Sequence, residues 1–261
     1  MYMRMPSFIR RSHDMTQAEP PIRIEATVGR TMRLARLKRR ITLIMTGRFD
    51  HILYALWVRF NRLDFAPASL EELGHSSERS VFHHASGGAD LAQVLRCLKI
   101  PKGSRALDLG SGKGGAACTL AGFPFEEILG IELSERLIHI AEANIRKLNF
   151  KNVHFVCLDA GRFRDLDRFT HIYMYNPFPR AVVLEVVQNL TASLARTPRA
   201  LTMIYYLPAC DDVIMESGLF RREREITFQF SQPFYVYVHD VAKASMAKTA
   251  AASKVTPDTC Q

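Results

Sequence analysis

From Arg105 onward, short apolar runs alternate with longer amphipathic stretches. The runs Ala106–Leu109, Ile128–Leu133, Val153–Leu158, Ile172–Tyr175 and Leu201–Leu207 have the length and branched-residue content of buried strands. The stretches between them carry apolar residues at helical spacing. One helix starts at Gly115. A second follows Ser134, a good N-cap, with Ile138, Ala141, Ile145 and Leu148 as its core stripe. A third, Ala181–Leu194, places Val182, Val186, Leu190 and Leu194 on one face, and a short helix is expected near Asp212–Ser217. Two last strand-like runs, Ile226–Phe230 and Phe234–His239, are joined by Ser231-Gln232-Pro233 alone. So short a link forces an antiparallel hairpin, because a parallel return needs a crossover.

Repeated strand–helix units build a parallel sheet with helices on both faces. The expectation is therefore an α/β fold: a Rossmann-like, seven-stranded mixed sheet closed by the C-terminal antiparallel hairpin. This domain is expected to span residues 89–240, entered by a helix over Ala89–Leu98. Ahead of it, residues 1–25 (Pro6, Pro20, Pro21, little periodicity) have the composition of disordered chain, as do the low-complexity residues 241–261. Residues 26–88 are expected to form a helical extension and a lid segment. Its first helix, over residues 31–46, carries Met32, Leu34, Leu37, Ile41 and Ile44 against Arg33, Arg36, Arg39 and Arg40. Its second, Phe49–Phe60, holds Trp57, the single tryptophan, and the turn-rich stretch 64–87 stands where a lid over a ligand would stand.

Charge sharpens this division. The chain of 261 residues has a formal net charge of +9. Residues 1–65 hold thirteen Lys/Arg against five Asp/Glu, so nearly all the excess lies in the extension. An acidic macromolecule, or an anionic membrane surface, is the partner such a face would take; a merely solvated basic face is the plainer alternative. No apolar run reaches eighteen residues, so no transmembrane segment is expected. The five cysteines (Cys97, Cys118, Cys157, Cys210, Cys260) lie far apart, which argues against structural zinc and fits a reducing, cytoplasmic compartment.

The candidate chemistry sits at the ends of the predicted strands, where ligands of open α/β sheets bind. Asp108-Leu-Gly-Ser-Gly-Lys-Gly closes the first strand, with Gly110, Gly112 and Gly114 at every second position. A nucleotide-like ligand can lie on such a turn, and the following helix offers its free N–H groups. Glu132 ends the second strand, where a carboxylate can accept from both hydroxyls of a ribose. Asp159 and Ala160 end the third; the carboxylate suits an adenine amine and the alanine leaves room for its ring. Asn176-Pro-Phe-Pro follows Tyr175 at the end of the fourth. An asparagine carbonyl can hold an amine, and aromatic rings can face a developing cation.

In this order, Asp108-Leu-Gly-Ser-Gly-Lys-Gly, Gly130-Ile-Glu-Leu-Ser, Leu158-Asp-Ala and Asn176-Pro-Phe resemble the class I S-adenosylmethionine-dependent methyltransferases. Within them the chain is similar to bacterial relatives of the non-SET lysine methyltransferases, the disruptor-of-telomeric-silencing type. The resemblance implies S-adenosylmethionine held by Asp108, Gly110, Ser111, Gly112, Gly114, Glu132, Leu133, Asp159, Ala160 and Asn176. It implies methyl transfer to a lysine-type amine, with Asn176, Phe178 and Tyr175 at the transfer site and no metal. The aromatic here directly follows the first proline, unlike the Asp/Asn-Pro-Pro-Tyr/Phe of nucleic-acid amine methyltransferases. A small-molecule methyltransferase and an NAD-binding oxidoreductase are the alternatives.

Overall fold

The computed structural model describes residues 49–67, 86–176, 178–229 and 231–240. The expected basic helix at 31–46, both termini and most of the expected lid (68–85) lie outside the described residues. Among the described residues, two helices precede the sheet: α1, Phe49–Phe60, and α2, Ala89–Arg96. Strands and helices then alternate: β1 Arg105–Leu109, α3 Gly115–Leu120, β2 Glu127–Glu132, α4 Glu135–Leu148, β3 Val153–Cys157 and β4 His171–Tyr175. The rest is α5 Arg180–Arg196, β5 Leu201–Tyr206, α6 Asp211–Glu216, β6 Arg221–Ile226 and β7 Phe234–His239. The seven strands form one sheet in the order β3-β2-β1-β4-β5-β7-β6. The first five run parallel, and β7 is antiparallel to both its neighbours.

The alternation of side chains along the strands divides the core in two. Leu107, Leu109, Ile172, Met174, Met203 and Tyr205 meet the apolar stripes of α5 and α6 on one face. Ala106, Ile128, Tyr173, Ile204 and Val236 meet α2 and α3 on the other. Ser134 caps α4 as expected, accepting from the Leu137 N–H, and the helix ends on Asn149 in the left-handed conformation. The α4 stripe holds one surprise: Asn144 is fully buried between Ala141 and Ile145, whereas Leu148 is only partly covered.

Two boundaries depart from expectation. The hairpin exists, but its first strand is Arg221–Ile226 and not Ile226–Phe230. Arg221 to Glu225 are all exposed at the edge of the sheet. A charged edge strand deters pairing with other chains, and for that reason carries no apolar alternation to reveal it. The helix expected over Ala89–Leu98 stops at Arg96, with Cys97 as its cap.

The segment entering α2 passes unusually close to α3. A Cβ on Gly115 would lie 2.5 Å from the Ser86 carbonyl oxygen. The Gly88 N–H, donating to Thr119 Oγ1 at 2.8 Å, keeps that segment from retreating. Gly115→Ala is therefore expected to destabilise the fold by about 1–3 kcal/mol, the usual cost of overpacking. Urea unfolding of the two proteins checks it, and an unchanged midpoint would refute the close packing.

Candidate functional site

The turn after β1 is held by the neighbouring strand. Gly110 and Ser111 both donate their N–H groups to the Ile131 carbonyl, at 2.9 and 3.0 Å. This hooks the turn over the end of β2. Gly110, Gly112 and Gly114 all take positive φ (76°, 53° and 79°), which L side chains adopt at a cost. At Gly114 a Cβ would also press on Phe155 and Ala141, at 3.1 and 3.2 Å.

Glu132 braces the same turn. One carboxylate oxygen accepts from the Gly112 N–H at 2.8 Å, and the other from the Ser134 N–H at 2.9 Å. Each carboxylate oxygen has a second lone pair, so Glu132 keeps acceptor capacity for hydroxyl groups. Leu133, between Glu132 and the cap of α4, is half-buried.

Asp108 points from β1 toward α3 and is 1% exposed. Among the described residues its Oδ2 has no hydrogen-bond partner, and neither has the buried Oγ of Ser111. Burial, and next the nearby charge of Glu132, push the Asp108 carboxyl up to about 7, against a smaller pull from the Ala117 backbone N–H. Buried polar groups are nearly always satisfied, so two orphans under one glycine turn mark a place built for a polar ligand.

The other predicted residues stand at the ends of the adjoining strands. Asp159 caps a short 3-10 turn, Ala160–Arg162, by accepting from the Gly161 N–H at 2.9 Å, and Ala160 is buried behind it. Tyr175 is the last residue of β4, and Asn176 follows at φ 33°. Such a conformation in a non-glycine residue is costly, although asparagine tolerates it better than most. Asn176 Oδ1 accepts from the Tyr205 hydroxyl at 3.5 Å. Phe178 is partly buried against the α5 side of the core.

These features meet their match in known proteins. The family model described as a methyltransferase domain matches residues 100–194. Those residues, less than half of the chain, are similar to a methyltransferase domain. The release factor glutamine methyltransferase of Buchnera aphidicola subsp. Acyrthosiphon pisum is 42% identical over 87 residues, which is 32% of this chain and 31% of that one. The chain thus spans under a third of that relative's length. A SAM-dependent methyltransferase from Aquifex aeolicus is 18% identical, covering 58% of this chain and 90% of that one with a TM-score of 0.46. Magnesium protoporphyrin IX methyltransferase from Synechocystis PCC 6803, with bound SAM, is 16% identical over 58% and 77% of the chains, TM-score 0.46.

The strand ends add residues that the sequence pattern did not single out. Tyr206 ends β5 in register with Tyr175, and Phe234 opens β7 in register with Tyr206. Their rings stack in a row, with centroids 4.6 and 4.2 Å apart. Leu207, just beyond Tyr206, has φ 53°, so β4 and β5 both end in left-handed backbone. The signal was present: Tyr206 stands next to the end of its apolar run, Leu201–Leu207, as Tyr175 ends the run before it. Strand order, which makes the two neighbours, could not be read from either run.

The charge on Asp108 sets a pH dependence. Its carboxyl titrates near 7 in the folded chain and near 3.8 in the ordinary state, so the folded form holds the proton longer. Stability from this group is greatest below about 4, declines as pH rises to about 7, and is constant above. Asp108→Asn lacks the titration. The gap in Tm between the variant and the parent is expected to widen from pH 5 to 7 and then level off. A gap independent of pH would remove Asp108 as the titrating group.

Proposed function

We propose that this chain transfers the methyl group of S-adenosylmethionine to a nitrogen of its substrate, a lysine-type amine. The observation that carries the reading is a juxtaposition. The orphaned Asp108 and Ser111 lie under the glycine turn of β1, and Asn176 projects from the end of β4, the adjacent strand. The donor turn and the candidate acceptor residue are thus neighbours across one strand pair.

The residues present suit this cofactor. Asp108 and Ser111 offer unsatisfied acceptors where the ammonium of a methionine group would need them. Glu132 retains lone pairs for the ribose hydroxyls, and Asp159 with the small Ala160 borders the place for adenine. Bound there, S-adenosylmethionine supplies a methyl group on a sulfonium, an electrophile that needs no further activation.

The chain's own work is then orientation and proton control. An amine attacks only when neutral, and burial beside an aromatic side chain such as Tyr175 or Phe178 would disfavour its ammonium form. The Asn176 carbonyl oxygen accepts an N–H from the amine and turns its lone pair toward the donor. As the new N–C bond forms and the S–C bond breaks, nitrogen becomes cationic. Its surplus proton leaves to solvent after transfer. Asn176-Pro-Phe matches the element of the non-SET lysine methyltransferases, and the Buchnera relative, by its name, methylates a glutamine. Both favour a nitrogen acceptor on a protein. An NAD-dependent reading fits less well, since the dinucleotide fold runs 3-2-1-4-5-6. Here an antiparallel β7 stands between β5 and β6.

Transfer of labelled methyl groups into fractionated lysate tests the reading. Label is expected in protein, released as methylated lysine on acid hydrolysis. Label confined to small molecules or nucleic acid would overturn the lysine assignment, and no transfer at all would overturn the activity. With the substrate in hand, Asn176→Ala is expected to lower kcat about a hundredfold, the scale of a lost positioning contact. Its affinity for S-adenosylhomocysteine should stay within about threefold. Full turnover by the variant would remove Asn176 from the transfer site. A chain lacking residues 1–48 is expected to lose macromolecular substrates while keeping turnover of small amines, if the basic extension serves docking.

A further inference from the structure

The segment that follows α1 lies outside the matched residues 100–194, yet it is bonded to α4 and, through Asp64, to the glycine turn. The Arg62 carbonyl accepts from Lys147 Nζ at 2.7 Å, and Leu63 is buried. The Asp64 N–H donates to Asn144 Oδ1 at 3.0 Å, and the Asp64 carbonyl accepts from Asn144 Nδ2 at 3.0 Å. The same Nδ2 donates to the carbonyl of Lys113, inside the turn, at 3.0 Å. Asn144 thereby spends its amide on two chain segments, with no solvent exposure. The Lys113 side chain returns to the first of them: its Nζ lies 2.9 Å from Asp64 Oδ1 and is 8% exposed. Burial raises the Asp64 carboxyl, but the hydrogen bond from Lys113, that from the Ala66 N–H and the charges of Lys113 and Lys147 together more than reverse this and hold it below the usual range.

This arrangement has a consequence for the turn. Gly112, Lys113 and Gly114 include two glycines, and such a run left alone would lose more conformational freedom on ordering than any other. Glu132 holds it at Gly112 from one side. Asn144 and Asp64 hold it at Lys113 from the other. A buried lysine without Asp64 would stand as an uncompensated charge and be driven outward, taking the turn with it.

We infer that Asp64, Asn144 and Lys113 form a latch by which the segment after α1 preorganises the glycine turn, so that donor affinity is set in part from outside the methyltransferase domain. Asp64 and Asn144 are positioning residues; they act through Lys113 and not on the ligand. The inference rests on the donor reading above only for the identity of the ligand.

The test uses the full chain and S-adenosylhomocysteine as the calorimetric probe, together with amide hydrogen exchange at Gly112–Gly114. Asp64→Ala is the first variant, because its side chain is half exposed and its loss should leave the fold intact. It is expected to weaken binding about fivefold, in keeping with a partly exposed ion pair, and to speed exchange in the turn. Turnover at saturating donor should be unchanged, because only preorganisation is lost. Lys113→Met should weaken binding similarly, and the double variant should be no worse than either single one, as for groups that act as a unit. Asp64→Asn, which keeps a hydrogen bond and loses the charge, should fall between. Binding and exchange like the parent's in Asp64→Ala would overturn the latch, as would additive losses in the double variant. If the parent itself binds no S-adenosylhomocysteine, the donor reading fails, and exchange in the turn decides the latch alone.

Discussion

The bond from Glu132 to the Gly112 N–H is the constraint on which the rest of the site depends. Through its other oxygen Glu132 also holds Ser134, the cap of α4, so one carboxylate joins the turn after β1 to the helix after β2. Hooked over Ile131 by Gly110 and Ser111, the turn cannot lie flat along the sheet. Its N–H groups at Gly110, Ser111 and Gly112 are all taken by β2, which fixes the turn from Gly110 to Gly114 over that strand's end.

The electrostatics follow. Asp108 and Glu132 are close enough that the charge of one raises the carboxyl of the other. The nearest lysine of the turn, Lys113, already has its charge met by Asp64. The site therefore carries acceptor capacity that its own side chains leave uncancelled, which suits a ligand bearing positive charge. S-adenosylmethionine has two such charges, on its sulfonium and its ammonium. The same arrangement is a cost: burial and Glu132 raise the Asp108 carboxyl to about 7, and two buried oxygens, Asp108 Oδ2 and Ser111 Oγ, lack partners among the described residues. Stability is spent where function needs charge, as is common at sites of this kind.

On the acceptor side the physics is of another kind. Tyr175, Tyr206 and Phe234 stack across three neighbouring strands, and both β4 and β5 end in left-handed residues. Strain of this sort persists only where surrounding packing overdetermines it. Beneath Asn176 the packing is Tyr205, whose hydroxyl bonds to the asparagine carbonyl oxygen. The proposed donor and acceptor sides thus lie at two neighbouring strand ends, the kind of setting that orientation-driven catalysis requires.

Much of this was legible in the chain itself. Apolar periodicity determined the five parallel strands and their helices, because each must bury a face and the burial writes a period into the sequence. Glycines at alternate positions after a buried strand, and acids at the next strand ends, determined where a ligand would lie. Tertiary structure alone decided the rest. The edge strand Arg221–Ile226 had no apolar pattern to betray it, because an exposed edge is stabilised by backbone pairing and guarded by charge. The stacking of Tyr206 on Tyr175 depended on strand order, a nonlocal fact. Asn144 looked like a polar gap in a helix stripe, yet it reaches 80 residues back to Asp64 and 31 to Lys113. A hydrogen bond across such distances leaves no local trace, since periodicity records burial and not partners. The glycine turn and the acids at the strand ends were therefore visible in the sequence, while the contacts that hold them in shape were not.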